Sequence, residues 1–392
     1  MTPAARLAAA VELLDAIGAA PTPAEQHVSA YFRARRYAGS KDRRWVTEFV
    51  YRALRRQGEL DAVALEIGLE PSPRLRCLLS LILFEDVVPD ALGTGWFGGP
   101  HGLDELTATE EAALANAAGV DLASLPLAAR GNFPDWLADK ITAQYGEMAE
   151  AVMQAYGDRA PVTLRVNAQK GNRSDIQYFL KNEGIDVTPT QFSPDGLIMT
   201  VVDFCAGSGG KSLAMAAQMD YAGKIYAFDV EERRMRDIGI RAKRAGVSLI
   251  EPLAINGDDR DDQLFAPLVG RMDRVFVDAP CSGSGTWRRQ PDMKWKLTEE
   301  RLAELVALQA DILARAEPLV APGGRLIYAT CSILKEENEA QIEAFLSSHP
   351  EFSLCPVGDI WDARRTSGPT VFSPPCWNAR LSKDAKGTLT IS

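Results

Sequence analysis

Two shortages set the first limits on this chain. Only three histidines, His27, His101 and His349, occur in 392 residues, and none lies near the motifs described below. A Ser-His-Asp hydrolase or a histidine-ligated metal enzyme is therefore disfavoured. The six cysteines (Cys77, Cys205, Cys281, Cys331, Cys355 and Cys376) form no C-x-x-C pair and show no short, even spacing. That pattern fits neither a zinc site nor a disulfide framework, and no metal is expected. Long apolar runs are missing too, so no membrane span is expected. The N-terminus "MTPAARLAAAVELLDAIG" has spaced charges and helical periodicity rather than the basic start and apolar middle of a signal peptide. A cytoplasmic monomer is the expectation. Positive charge is also short overall, with 43 Lys and Arg against 53 Asp and Glu, so composition does not advertise nucleic-acid binding.

Distribution matters more than the sum. Between Arg33 and Arg56 lie nine basic residues and only two acids, with Tyr37, Trp45 and Tyr51 among them. This is a local basic, aromatic-bearing face suited to a phosphate backbone, carried by Arg35, Arg36, Lys41 and Arg43. From charge alone, a solvated helix face is the favoured reading. Apolar residues at three- and four-residue spacing predict helices over residues 1 to about 85. Residues 86–130 read as a loop with short helices, and "FPDWLADKITAQYGEMAEAVMQAYG" as a further helix beginning at Phe133-Pro134. "PVTLRVN" and "SDIQYFLKNEGIDVTP" then read as a small α/β segment.

From about residue 200 the pattern changes to apolar strands alternating with helices: "TVVDFC", "GKIYAFDV", "SLIEPLAI", "DRVFVDAP" and "GRLIYATCS". Near-continuous apolar strands in this alternation predict a doubly wound parallel sheet. Ligands bind beyond the carboxyl ends of such strands. The unusual polar residues fall there: Asp203 and Cys205, Asp229, Asp278 and Cys281, and Cys331.

The glycine loop "DFCAGSGGKSL" admits three readings. A Walker A loop fails because Cys205 stands at its first glycine position. A dinucleotide fingerprint is weakened because Ser212 stands at its third glycine position. An S-adenosylmethionine loop asks for a glycine turn after the first strand and an acid, here Asp229, at the end of the second. The loop alone favours this last reading only modestly. Any one cysteine is most simply a buried apolar residue. Two cysteines at the ends of adjacent strands, each flanked by small residues, are harder to explain as packing.

"DFCAGSGGKS", "DAPCSGSGTWRRQPDMKW" and "ATCSILKEENE" resemble the signature motifs of the RsmB/NOP family of RNA cytosine-5 methyltransferases. "TLRVN" and "RRYAGSKDRRWVTEFVYRALRR" are similar to the family as well, the latter to the NusB-like helical domain of its bacterial ribosomal-RNA members. The resemblance covers most of the chain. It implies an all-α NusB-like RNA-binding domain (1–130) and a small α/β segment (131–199). A doubly wound, Rossmann-like methyltransferase domain (200–392) follows. It also implies transfer of a methyl group from S-adenosylmethionine to C5 of a cytosine in RNA, expected to be 16S ribosomal RNA.

Carried over by resemblance, Cys331 is the attacking thiol, Cys281 assists proton removal and product release, and Asp278 contacts the cytosine. The cofactor loop is Cys205, Ala206, Gly207, Ser208, Gly209, Gly210 and Lys211. Asp229 is placed on the ribose, Asp258 towards the adenine and Asp278 beside the cofactor. Arg288, Arg289, Lys294 and Lys296 are expected to hold an unstacked or single-stranded RNA backbone.

Three departures from the family stand out. Ser208 replaces the usual proline, which is minor. "SPDGLIM" runs almost directly into "TVVDFC", so a segment of the small domain and a cofactor-side helix are expected to be missing before Val201. That absence supports an alternative, a degenerate relative that binds RNA without transferring methyl groups. The tail from about Ala363 also departs: a shifted reading frame across Pro369 to Leu381 permits D-G-F-F-A-A-V-L-E-R-A, which looks like the family's ending. On that hypothesis Cys376 and Trp377 carry no function.

Overall fold

The computed structural model describes residues 1–85, 87–88, 92, 95–98, 101–158, 178–179, 181–182, 199–219, 223–355, 379–383 and 389–390. The chain forms two compact units. One is Met1–Pro161 together with Ser284–Thr298; the other is Val162–Gly283 together with Glu299–Ser392.

The first unit is helical. Pro3–Gly18 starts with proline in its first turn and Thr2 accepting from the Ala5 amide, as a helix start requires. It is followed by Ala24–Ala34, Ser40–Arg55, Gln57–Glu66 and Pro73–Phe84. Ser40–Arg55 shows why the basic stretch is a face: Val46, Phe49, Val50, Ala53 and Leu54 are buried on one side, which turns Lys41 and Arg44 outward. Further helices, Ala108–Ala117, Leu127–Gly131, Asp135–Tyr145 and Ala149–Gln154, complete the unit's first stretch. The continuous helix expected from Phe133 onward is broken at Gly146, whose φ of 55° lies in the left-handed region. Glycine adopts that conformation cheaply and ends the helix there.

The second unit is built on a sheet. Strands β1 (Met199–Asp203), β2 (Gly223–Asp229), β3 (Ile250–Ala254), β4 (Met272–Asp278) and β5 (Val320–Ala329) pair in parallel in the order β3-β2-β1-β4-β5. Three antiparallel strands, β6 (Ser353–Leu354), β7 (Ala379–Lys383) and β8 (Leu389–Thr390), extend the sheet beyond β5. Val202, Phe204, Phe228, Val275, Val277, Leu326 and Tyr328 form the buried centre, as expected of strands covered on both faces. This α/β order reverses at β1 and β4, so the strand ends there open onto a shared crevice. The seam before Val201 and most of the atypical tail, 356–378 and 384–388, lie outside the described residues.

Candidate functional site

Strand ends deliver the polar residues as the sequence pattern requires. Asp203, Asp229 and Asp278 are the last residues of β1, β2 and β4, and Cys281 and Cys331 follow on the turns after β4 and β5. Because β4 and β5 are neighbours, the two turns meet, and the Cys281 and Cys331 Sγ atoms lie 3.2 Å apart. That shared hydrogen bond splits their chemistry. It holds the Cys331 thiol below the ordinary cysteine range and, with burial, pushes Cys281 above it. Cys331 is the exposed member of the pair. A thiolate is the nucleophilic form of cysteine, so Cys331 is the better nucleophile. Cys205 is excluded from that role: burial and the surrounding carboxylates of Asp229, Asp203 and Asp278 push its thiol strongly upward.

The loop after β1 is a cradle. Gly207 and Gly209 have φ values of 54° and 74°, conformations costly for any residue with a Cβ. A Cβ at Gly209 would sit 2.9 Å from Ile238 Cγ1, whereas one at Gly207 would meet nothing within 4 Å. The loop is thus tight against the helix Glu232–Ala245 on one side and open on the other. Asp229 fixes it, accepting from the Gly207 amide (2.7 Å) and the Glu231 amide (2.8 Å). Gly209 caps the helix Gly210–Gln218 without a side-chain hydrogen bond. Its first-turn amides and the positive end of its dipole therefore suit an anionic group.

These features fit S-adenosylmethionine. The open loop and helix end would hold its carboxylate, and Asp229 its ribose hydroxyls. Beneath the loop, Asp203 accepts from the Ser212 hydroxyl at 2.6 Å, and burial pushes its carboxyl up to about 6. Lys211 pairs with Asp278, linking the loop to the cysteine-bearing strand.

Asp258 is half-exposed, and Arg260 holds its carboxyl down at about 2. The buried acid of that loop is Asp261, which accepts from the Asn256 and Gly257 amides. Among the described residues, no group of three or more His, Cys, Asp or Glu could hold a metal ion. No helix among them is long and apolar enough to cross a membrane.

The basic residues divide. Arg36, Lys41 and Arg289 are exposed. Arg35 is tied to Glu12 at 3.0 Å and lies 3.7 Å over the Tyr31 ring, while Arg43 donates to the Ala38 carbonyl. Arg288 donates to the Asp158 carbonyl. Lys296 donates to the Thr22 carbonyl and to Asp292, which in turn accepts from the Ala24 amide.

Lys294 corrects the sequence reading. It is 1% exposed, with its ammonium 5.0 Å from the centre of the Phe133 ring and 5.6 Å from that of Trp295. Burial lowers it from 10.5 to about 7. A group placed there holds the segment within the helical unit and does not face RNA.

The sign of the pH effect follows. Between about 7 and 10.5 the unfolded chain binds the proton that folded Lys294 releases, so stability rises with pH across that window. Lys294→Met keeps the ring contacts and leaves Glu59 paired with Arg56. We expect it to raise stability at pH 7 by about 1–4 kcal/mol and to flatten this pH dependence. Thermal melts of both proteins from pH 7 to 10 check this; a destabilised variant with the same slope would contradict it.

Ser282, Gln309 and Glu337 were not singled out by sequence. Glu337 sits near the end of "ATCSILKEENE", and it is fully buried. Its signals are that motif and its position, six residues after Cys331.

The family model described as 16S rRNA methyltransferase RsmB/F matches residues 195–370. The RsmF/B-like ferredoxin-like domain matches residues 133–202. The tail beyond residue 370 thus falls outside the first match. A probable ribosomal RNA small subunit methyltransferase B from Synechocystis sp. is 30% identical over 369 residues, covering 79% of this chain and 82% of that protein. That length exceeds 79% of 392 residues, so the comparison crosses positions that this chain lacks. The corresponding probable methyltransferase of Bacillus subtilis is 30% identical over 267 residues, covering 58% of each chain.

Among solved structures, PH0851 superposes with a TM-score of 0.69 at 25% identity, covering 95% of this chain and 94% of that one. NSun6 from Pyrococcus horikoshii, solved with SFG, shares the fold at 16% identity and a TM-score of 0.50, covering 64% of this chain and 94% of that one. Fold, motif positions and these similarities agree: the chain belongs to the RsmB/F family of S-adenosylmethionine-dependent methyltransferases.

Proposed function

We propose that this protein methylates C5 of a cytosine in small-subunit ribosomal RNA through a covalent adduct on Cys331. The observation that carries the reading is the pair of thiols 3.2 Å apart at the ends of neighbouring strands. One is lowered and exposed, the other raised.

C5 of cytosine is a poor nucleophile. Addition of the Cys331 thiolate to C6 moves the C5–C6 π electrons onto C5 and makes that carbon reactive. S-adenosylmethionine, when bound, supplies an electrophilic methyl group. Asp278 stabilises the protonated ring nitrogen while the adduct exists. Once Cys331 is bound to carbon it no longer holds the Cys281 proton, and the influence raising Cys281 is relieved. Cys281 then gives its proton to solvent and, as the thiolate, takes the C5 proton. The C–H electrons re-form the double bond, the C6–S bond breaks, and Cys331 leaves as thiolate. The target base must be out of its stack, with the exposed Arg36, Lys41 and Arg289 as phosphate contacts.

The test uses labelled methyl groups and unmodified small-subunit RNA, followed by digestion to nucleosides. Label is expected on C5 of cytidine; label on another atom would overturn the assignment. A second reading, an RNA-binding relative without transfer activity, rests on the positions that this chain lacks relative to the cyanobacterial protein. It predicts RNA binding with no binding of S-adenosylmethionine.

A further inference from the structure

The Glu337 carboxyl group has 0% exposure, and the groups seen donating to it among the described residues are neutral. The Ser282 amide donates to its Oε1 at 2.8 Å and the Ser282 hydroxyl to its Oε2 at 2.5 Å. Gln309 Nε2 donates to Oε1 at 3.0 Å and also to the Pro280 carbonyl at 2.9 Å. Gln341 Nε2 donates to Gln309 Oε1 at 3.2 Å, which fixes the orientation of that amide. The turn carrying Cys281 is therefore gripped on both sides of the cysteine, at Pro280 and at Ser282.

The next residue grips the other turn. Asn338 Nδ2 donates to the Ser332 carbonyl (3.2 Å) and the Leu334 carbonyl (2.8 Å), and its Oδ1 accepts from the Thr330 hydroxyl (2.6 Å). Thr330 and Ser332 flank Cys331. The Ser282 and Ser332 hydroxyls are 3.3 Å apart. Tyr328, on β5, donates its hydroxyl to the Glu337 carbonyl at 2.8 Å, anchoring the clip to the sheet.

Burying a carboxylate without a cation is costly unless donors satisfy it. A purely structural fastening could use a neutral group at lower cost. Here the donors come from the residue after one cysteine and from the amide that also holds the residue before it. We propose that Glu337 is a positioning residue: with Asn338 beside it, it sets the spacing of the Cys281 and Cys331 thiols. The role rests on the reading that these cysteines carry the transfer, but its geometry can be tested without any methyl transfer.

Hydrogen peroxide provides the probe. Two thiols and one peroxide give one disulfide and two waters, and the rate depends on how the sulfurs are held. Peptide mass mapping follows the Cys281–Cys331 bond as the loss of two hydrogens. Wild type is expected to form it readily. Glu337→Ala is expected to slow its formation about ten-fold or more, because small misplacements of reacting atoms cost that much. Glu337→Gln, which preserves shape and can still accept from Ser282 and Gln309, should restore the rate to within about two-fold.

Gln309→Leu removes the amide from both Pro280 and Glu337 and should slow the bond similarly. It serves if Glu337→Ala does not fold. With RNA and S-adenosylmethionine, Glu337→Ala should accumulate covalent RNA–protein adduct, since addition by Cys331 outlasts the assistance of a displaced Cys281. A wild-type disulfide rate in folded Glu337→Ala or Gln309→Leu overturns the proposal. Absence of methyl transfer in wild type, with the disulfide rates as expected, overturns the cytosine reading and leaves the positioning role standing.

Discussion

Replacement of Cys331 by alanine is expected to abolish methyl transfer, lowering the rate by at least about 10⁴-fold. The loss should be this large because no other thiol can take over. Cys281 lies 3.2 Å away but is held in its protonated form by that contact and by burial. Cys205 is likewise pushed strongly upward, by burial and three carboxylates. Cys281→Ala is expected to behave differently: Cys331 still adds to the base, release fails, and a covalent RNA–protein complex persists on a denaturing gel. Binding of S-adenosylmethionine should be near wild type in both variants. The contrast separates the two cysteines. Adduct formation by Cys331→Ala, or rapid turnover by it, would reverse their roles.

Asp229→Ala is expected to weaken S-adenosylmethionine binding by about 10²-fold, measured calorimetrically, with the fold retained. Asp229 carries two tasks. Its carboxylate accepts the Gly207 and Glu231 amides, so its removal frees the glycine loop from the end of β2. It would also remove the acceptor for the ribose hydroxyls. Asp258→Ala is the comparison. That carboxylate is half-exposed and engaged by Arg260, so its loss should cost no more than about ten-fold. Equal, small effects for both would remove the loop from the cofactor site.

Much of the sheet could be read from sequence because its strands are apolar enough to be covered on both faces. Their ends are marked by aspartates at residues 203, 229 and 278. The meeting of Cys281 and Cys331 follows from the adjacency of β4 and β5. What periodicity cannot convey is which distant segment covers a residue. Lys294 reads as one of several cations in "WRRQPDMKWK", and only the rings of Phe133 and Trp295 around it reveal burial. Glu337 reads as one acid among three in "KEENE". Its donors come from residues 282 and 309, separations that no local pattern encodes. Arg35 and Arg43 look equivalent to Arg36 and Lys41 in a charge count, yet they hold Glu12 and the Ala38 carbonyl.

The helical unit has a further consequence for synthesis. Its last stretch, Ser284–Thr298, brings Trp287 edge-on to Phe133 and tilted against Tyr156, at centroid distances of 5.7 and 6.3 Å. The same stretch supplies Asp292 to the Ala24 amide. On the ribosome these partners arrive after residues 162–283, a delay on the order of ten seconds at ordinary translation rates. Until then the nascent helices carry bare aromatic surface and an amide awaiting its acceptor. The unit therefore cannot be released whole by one cut in the chain: a fragment ending at residue 161 would keep that nascent, sticky state permanently.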